Sequence, residues 1–294
     1  MAISLQNTIY RHQLADKELG DAEPGADTPL VLVHAFPIDH RMWDDCAPLI
    51  AQLSDEAGLA PFAIWAPDMP GAGTCPVPNA GETGEVNGDS SYAQALDMVA
   101  DAYVELVRQA GFRKAVFVGL SMGGYVVMDI VKRHPEVLAG IALCDTQPSP
   151  DAPQARANRL AIAQRCEDEQ TVEPVMHFAV PQPGDSAFKR SPQCVDLFTR
   201  WIHEQSPDGI AWRQRMAAGR PDFTDQLAAI TVPAAVVCGT LDPSLQAMRG
   251  FVPMLTGTSP AVTEIEDCGH FSAVEQPAAV AQALADLMRR VVKG

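Results

Sequence analysis

Basic side chains are scarce in this chain of 294 residues. Lys and Arg number 21 against 37 Asp and Glu, so the formal net charge is −16. Binding to a phosphate backbone or to an anionic membrane surface depends on clustered Lys and Arg. We therefore expect neither a nucleic-acid nor a membrane partner, although a local basic pocket is compatible with this composition.

Several other signals are also absent from the sequence. No apolar run approaches the roughly 20 residues that cross a bilayer, and the segment Met1–Asn7 lacks the basic and apolar regions of a secretory signal. The seven cysteines include no C-x-x-C pair, and the seven histidines include no H-E-x-x-H motif. These absences predict a cytoplasmic protein with reduced thiols and without a metal site.

Short apolar runs alternate with longer segments of helical period, a pattern typical of a mostly parallel sheet covered by helices. The strand-like runs are Leu30–Val33, Phe62–Trp65, Ala115–Val118, Leu138–Leu143, Ala234–Cys238 and Ala261–Ile265. The segments of helical period are Arg41–Leu53, Tyr92–Ala110, Met122–His134 and Pro277–Val292. Ile3–Leu5 and Thr8–Leu14 are candidates for an additional antiparallel pair at the sheet edge.

Strand patterns disappear between Thr146 and about Asp225, where helical pieces punctuated by proline take over. Because a strand pattern resumes at Ala234, we expect a helical cap inserted after the sixth strand; a helical hairpin packed elsewhere is the alternative. The predicted division is a sheet core of residues 1–145 and 227–294 and a cap of residues 146–226. The stretch 66–91, rich in Gly, Pro and Asn, is expected to be a surface loop beginning near the site.

A G-x-S-x-G motif at Gly119–Gly123 lies between a strand pattern and a helix pattern. A sharp strand-to-helix turn needs small residues two positions before and after its central residue, and it leaves the Ser121 hydroxyl protruding. The motif alone is weak, because composition gives it in about one chain in ten of this length. A glycine-rich packing turn with an incidental serine is the alternative interpretation.

A serine hydroxyl becomes a good nucleophile only beside a base that an acid orients. Asp242 follows the strand that ends at Cys238, and His270 follows the last strand, 28 residues later. Since the carboxyl ends of parallel strands meet at one edge, we predict a triad of Ser121, His270 and Asp242. Asp145, at the end of another strand, is the alternative acid.

Acyl transfer also needs two N–H donors for the developing oxyanion. The backbone N–H groups of Met122, directly after the nucleophile, and of Phe36, in the loop after the Leu30–Val33 strand, are the candidates. An ordinary loop with a core phenylalanine is the competing interpretation of Phe36.

Substrate contacts are harder to choose from the sequence. The candidates are His34, Phe178, Trp201, Trp212 and Arg156. The aromatic side chains would line an apolar pocket, with ordinary cap core as the alternative. Arg156 or Arg159 would pair with a substrate carboxylate, with a solvated helix face as the alternative.

Five motifs along the whole chain together resemble the α/β-hydrolase fold. They are H-A-F-P at 34–37, A-P-D-M-P-G-A-G at 66–73, G-L-S-M-G-G at 119–124, G-T-L-D-P at 239–243 and D-C-G-H-F at 267–271. The chain order Ser, Asp, His matches that family. Among its capped members the sequence is most similar to 3-oxoadipate enol-lactonases, haloperoxidase-like esterases and small carboxylesterases. Two departures are Ala35, where the family usually has glycine, and a longer loop at Thr74–Ser90.

The resemblance implies a cofactor-independent serine hydrolase that cleaves a small carboxylic ester or lactone through an acyl-enzyme. A C–C bond hydrolase of ring-cleavage products and a ligand-binding receptor with negligible turnover are the alternatives. No cofactor-binding residue is predicted, because Pro76 breaks the glycine pattern that starts at Gly71 and Gly73. The acidic composition favours neutral esters as substrates, and monomer and homodimer are both left open.

Overall fold

A computed structural model describes residues 3–12 and 28–293. The strands in those ranges are β1 Gln6–Arg11, β2 Leu30–Val33, β3 Ile64–Asp68, β4 Ala115–Leu120, β5 Leu138–Cys144, β6 Ala234–Gly239 and β7 Ala261–Ile265. They form one sheet in the order β1-β3-β2-β4-β5-β6-β7. β1 runs antiparallel to β3, and every other neighbouring pair is parallel. The predicted mostly parallel sheet is confirmed.

Helices flank this sheet. They are α1 Cys46–Glu56, α2 Ala80–Thr83, α3 Ala95–Gln109, α4 Met122–Arg133, α5 Pro153–Glu169, α6 Pro192–His203, α7 Pro207–Gly219, α8 Leu245–Phe251, α9 Ser272–Glu275 and α10 Pro277–Lys293. α1 packs against α10, and α3 packs against α4. β2, β4 and β6 are buried at every position, which explains why these strands read as continuous apolar runs.

The predicted pairing of two N-terminal strands is wrong, although Thr8–Arg11 does lie in β1, an antiparallel strand at the sheet edge. Ile3–Leu5 has no strand structure, and β1 pairs with β3 in the middle of the chain. The last two residues of the predicted strand Thr8–Leu14 lie outside the described residues. The helical insertion consequently follows the fifth described strand, where we expected it after the sixth.

The insertion between β5 and β6 consists of α5, α6, α7 and short 3₁₀ helices at Glu173–Phe178 and Thr224–Ala229. α5 packs against α7. No strand interrupts residues 145–233, all of which the structure describes. The helical character of the insertion agrees with the sequence pattern, and the division of the chain at 146 and 226 stays a prediction.

The stretch 66–91 is more ordered than a plain loop. α2 lies within it and begins with a capping box, in which Asn79 accepts the N–H of Glu82 and the Glu82 carboxylate accepts the N–H of Asn79.

In the described ranges, no helix is both long and apolar enough to cross a membrane. All seven cysteines are free and buried.

Candidate active site

Ser121 occupies a sharp turn between β4 and α4, with φ 55° and ψ −113°. A Cβ atom added at Gly119 would lie 2.3 Å from the carbonyl oxygen of Gly123. One added at Gly123 would lie 2.2 Å from the carbonyl oxygen of Val33. Both positions therefore require glycine, which is the steric reason for the spacing of the motif. The turn presents the Ser121 hydroxyl at the start of α4.

Two hydrogen bonds connect Ser121, His270 and Asp242. The Oγ atom of Ser121 lies 2.8 Å from Nε2 of His270, and Nδ1 of His270 lies 2.6 Å from Oδ2 of Asp242. The other Asp242 oxygen accepts the backbone N–H of Ser244. With the Nδ1 proton donated to Asp242, Nε2 is left to accept the serine proton. The structure thus brings together the three residues that the sequence placed at the ends of β4, β6 and β7.

The charges in this chain of hydrogen bonds shift the pKa of His270 and the pKa of Asp242. Burial alone would lower the pKa of His270, but the Asp242 carboxylate raises it above its ordinary value. Burial alone would raise the pKa of Asp242, but His270 and the N–H of Ser244 hold it below its ordinary value. Asp242 is therefore ionised at neutral pH and stabilises a positive charge on the imidazole.

Asp145 does not take the place of Asp242. Its Oδ1 atom accepts the N–H of Gly239 at 3.0 Å, and no hydrogen bond joins it to His270 in the described structure. Burial, followed by the charge of Asp242, raises the pKa of Asp145 well above its usual range. The geometry consequently favours Asp242 as the acid that orients His270.

Glu275 holds the loop that carries His270, and sequence reasoning missed it. Its carboxylate accepts the N–H of Gly269 at 2.8 Å and the N–H of Phe271 at 3.0 Å. The Ser186 hydroxyl also donates to it. The available signal was a carboxylate five residues after His270, too common a feature to single out.

The backbone at Phe36 and Met122 suits an oxyanion hole. Both residues line a cavity of about 140 Å³ together with Ser121. Neither N–H group donates a hydrogen bond to any described residue, whereas the neighbouring N–H of Ala35 contacts the sulfur of Met42 at 3.1 Å. The residues that line the cavity beside the serine therefore include two whose backbone N–H groups have no described acceptor, as an oxyanion hole requires.

A second cavity of about 480 Å³ also contains Ser121. Tyr125, Phe178 and His270 line both cavities, so two branches meet at the serine hydroxyl. Tyr125 was missed from the sequence, although it follows Ser121 by one turn of α4 and therefore shares its face of the helix.

Two of the predicted substrate contacts line these cavities: Phe178 lines both, and Arg159 lines the smaller one. His34 is fully buried, and both of its ring nitrogens are occupied. Nδ1 lies 2.9 Å from the carbonyl oxygen of Ala35, and Nε2 accepts the N–H of Met69 at 2.8 Å. His34 therefore joins the loops after β2 and β3, and neither of its ring nitrogens is free to contact a substrate in this structure.

Trp201, Trp212 and Arg156 do not line either cavity at Ser121, so their contact with substrate stays a prediction. Trp201 packs on Phe198 with ring centroids 5.8 Å apart. Trp212 donates its Nε1 proton to Thr83 at 2.9 Å and lines a separate cavity beside α2. Arg156 donates to the Asp89 carboxylate at 2.7 Å. Large apolar side chains in a helical insertion serve as its core as readily as they line a pocket, and here they form core.

Among residues 3–12 and 28–293, two groups of side chains have metal-ligand chemistry, and each has members that are already paired. In the first, Asp39 pairs with Arg41 and His40 pairs with Asp68. The second comprises Asp145, Cys238 and Asp242, of which Asp242 is bound to His270. In each of these two groups, a described pairing already occupies at least one of the potential ligands.

Comparisons with known proteins show the family of the chain. The model of the alpha/beta hydrolase family matches residues 30–283. A 2-succinyl-6-hydroxy-2,4-cyclohexadiene-1-carboxylate synthase of Enterobacter sp. is 27% identical over 90% of this chain and 93% of its own. A 3-oxoadipate enol-lactonase of Acinetobacter baylyi is 24% identical over 66% of this chain and 71% of its own. The structure of a thermophilic esterase from Thermogutta terrifontis superposes with a TM-score of 0.72 at 29% identity over 90% of each chain. These matches support a hydrolase, and the chain belongs to the alpha/beta hydrolase family.

Proposed function

We propose that this protein is a cofactor-independent serine hydrolase that cleaves a small carboxylic ester or lactone. The observation that carries the proposal is the pair of hydrogen bonds at His270, 2.8 Å to the Ser121 hydroxyl and 2.6 Å to the Asp242 carboxylate. The relatives named as an enol-lactonase and as an esterase support this substrate class.

Each residue has a defined role in the proposed reaction. His270 takes the proton of Ser121 as its Oγ atom attacks the carbonyl carbon, and Asp242 stabilises the imidazolium that results. The N–H groups of Phe36 and Met122 hold the oxyanion of the tetrahedral intermediate. His270 then protonates the leaving alcohol. In the second half of the reaction His270 takes a proton from the water that attacks the acyl-enzyme, and it returns this proton to Ser121 as the acid is released. Ester bond and water are thereby converted into an acid and an alcohol.

The test is hydrolysis of 4-nitrophenyl acetate by the wild type and by Ser121→Ala. Removal of the nucleophile of a serine triad costs several orders of magnitude, so we expect kcat/KM to fall at least about 1,000-fold. Ser54→Ala is a matched control, because this buried serine in α1 has no hydrogen-bond partner in the described structure. Turnover by Ser121→Ala equal to that of the control would overturn the proposal.

A further inference from the structure

Two arginines near the site form ion pairs with the same carboxylate, that of Asp151. Nε of Arg159 lies 2.5 Å from Oδ2 of Asp151, and Nη1 of Arg220 lies 2.7 Å from the same oxygen. Gln214, which accepts from Nη1 of Arg159 at 2.9 Å, is neutral. The group formed by Arg159, Asp151 and Arg220 therefore carries one net positive charge.

This group is largely withdrawn from water. The Arg220 side chain is 1% exposed and stacks on the ring of Tyr125, with its central carbon 4.1 Å from the ring centroid. Asp151 is 8% exposed and Arg159 is 22% exposed. An excess charge held in such surroundings is costly unless a counter-charge reaches it. The free face of the group is therefore a place where an anion would be stabilised.

Arg159 supplies that free face. It lines the smaller cavity beside Ser121, Phe36 and Met122. A guanidinium group has five N–H donors. Arg159 uses them toward Asp151, Gln214 and the Tyr125 hydroxyl, and one of these contacts, from Nη2 to Asp151, is 3.5 Å long. Burial acts against its charge, but Tyr125 and Asp151 raise the pKa of Arg159 above its ordinary value. A charged donor with spare N–H groups thus shares a cavity with the nucleophile.

Arg156, one turn earlier on α5, shows the contrast. It pairs with Asp89 one to one and donates also to the Ser91 hydroxyl, away from both cavities. Lys189 lines the larger cavity, but its ammonium group donates to the carbonyl oxygen of Phe178 and lies 4.2 Å from the centroid of the Phe198 ring. Of these three cations, Arg159 alone combines a shared carboxylate with a place beside Phe36 and Met122.

We propose that Arg159 binds a carboxylate of the substrate, so that the preferred ester or lactone is an anion. This inference rests on the proposed function and narrows its substrate class. A planar guanidinium matches the geometry of a carboxylate through paired N–H donors. Arg159 and Ser121 line the same cavity of about 140 Å³. The substrate must therefore have only a short chain between its carboxylate and its scissile carbonyl. The net charge of the chain favours neutral esters, whereas the local charge at Arg159 favours an anionic one.

The test compares matched anionic and neutral esters. Mono-4-nitrophenyl glutarate against 4-nitrophenyl valerate places the carboxylate in the acyl part, and 4-acetoxybenzoate against its methyl ester places it in the alcohol part. In Arg159→Met we expect the ratio of kcat/KM, anionic over neutral, to fall at least fivefold for one pair. In Arg156→Met, a matched loss of charge on the same helix, we expect less than a twofold change.

The outcomes separate this inference from the proposed function. A fall below fivefold in both pairs, or a larger fall in Lys189→Met than in Arg159→Met, overturns the assignment to Arg159 while leaving the hydrolase intact. Failure of the wild type to cleave any of the four esters overturns the proposed function and this inference with it. Arg159→Lys keeps the charge without the planar fork, so its ratio should lie between those of the wild type and Arg159→Met, and a ratio below that of Arg159→Met contradicts the proposal.

Discussion

At the scale of single residues, the chemistry depends on which ring nitrogen of His270 carries a proton. Its Nδ1 proton points to Asp242, and its Nε2 atom faces the Ser121 hydroxyl. Because Asp242 is buried and ionised, the imidazole is held in the tautomer that accepts a proton from serine. The neutral form of His270 is therefore the active one in the proposed mechanism.

The pH dependence of ester hydrolysis follows from that assignment. Asp242 raises the pKa of His270 above its ordinary value of 6.5, so protonation on acidification removes the base earlier than for a free histidine. We expect kcat/KM for a neutral ester to decline as pH falls, with its midpoint above pH 6.5. Melting curves over the same range exclude unfolding as the cause. A midpoint below pH 6.5 in folded enzyme would contradict this role of His270.

Residue placement shows what the sequence could and could not predict. The turn at Ser121 was predictable, because the clash that excludes side chains at Gly119 and Gly123 depends on local geometry. The orientation of Arg159 was not, because its neighbour Arg156 has the same chemistry on the same helix. Which of the two faces the site depends on Asp151 and on Arg220, a residue 61 positions away in the chain.

At the scale of elements, the parallel sheet assembles the site. β4, β6 and β7 run parallel within one sheet, so their carboxyl ends bring Ser121, Asp242 and His270 to one edge. To predict that these residues meet, it is enough to know that the strands are parallel. The alternation of strand and helix patterns in the sequence indicates this. The helical insertion follows no such rule, so its sequence does not separate an aromatic residue of the core, such as Trp201, from one that lines a cavity, such as Phe178.

The start of α7 touches the loop after β3 with no room for a side chain. A Cβ atom at Gly209 would lie 2.0 Å from the carbonyl oxygen of Gly71. We expect Gly209→Ala to lower the free energy of unfolding by about 1–3 kcal/mol, since backbone must move to relieve the clash. Urea denaturation measures this change.

Gly250→Ala is the matched control in another helix. Nothing lies within 4 Å of an added Cβ at this exposed position of α8. Alanine has the higher helix propensity, so this change should leave stability equal or raise it by up to about 1 kcal/mol. Equal effects of the two substitutions would show that α7 does not pack as described.

At the scale of the whole molecule, the net charge of −16 and the local charge at Arg159 act in opposite directions. The acidic surface repels an anionic ester during approach, whereas Arg159 attracts it once it is inside the cavity. Surface charges are screened strongly by salt, and partly buried groups are screened less. Salt therefore weakens the repulsion by the acidic surface more than it weakens the attraction by Arg159.

Raising NaCl should consequently speed the reaction of an anionic ester. Between about 10 and 150 mM the screening length shortens from about 30 to about 8 Å, so kcat/KM for mono-4-nitrophenyl glutarate should rise. The value for 4-nitrophenyl valerate, which carries no charge, serves as the control and should stay constant. A fall for the anionic ester alone would indicate that the acidic surface does not govern its approach.

Covalent labelling with a fluorophosphonate tests the central claim most directly, because the reagent phosphonylates an activated serine. We predict one adduct per chain, located by peptide mass spectrometry on the segment that contains Ser121, and no adduct in Ser121→Ala. An unlabelled Ser121 in folded wild-type protein, or equal labelling of Ser121→Ala, would contradict the assignment of this residue as the nucleophile.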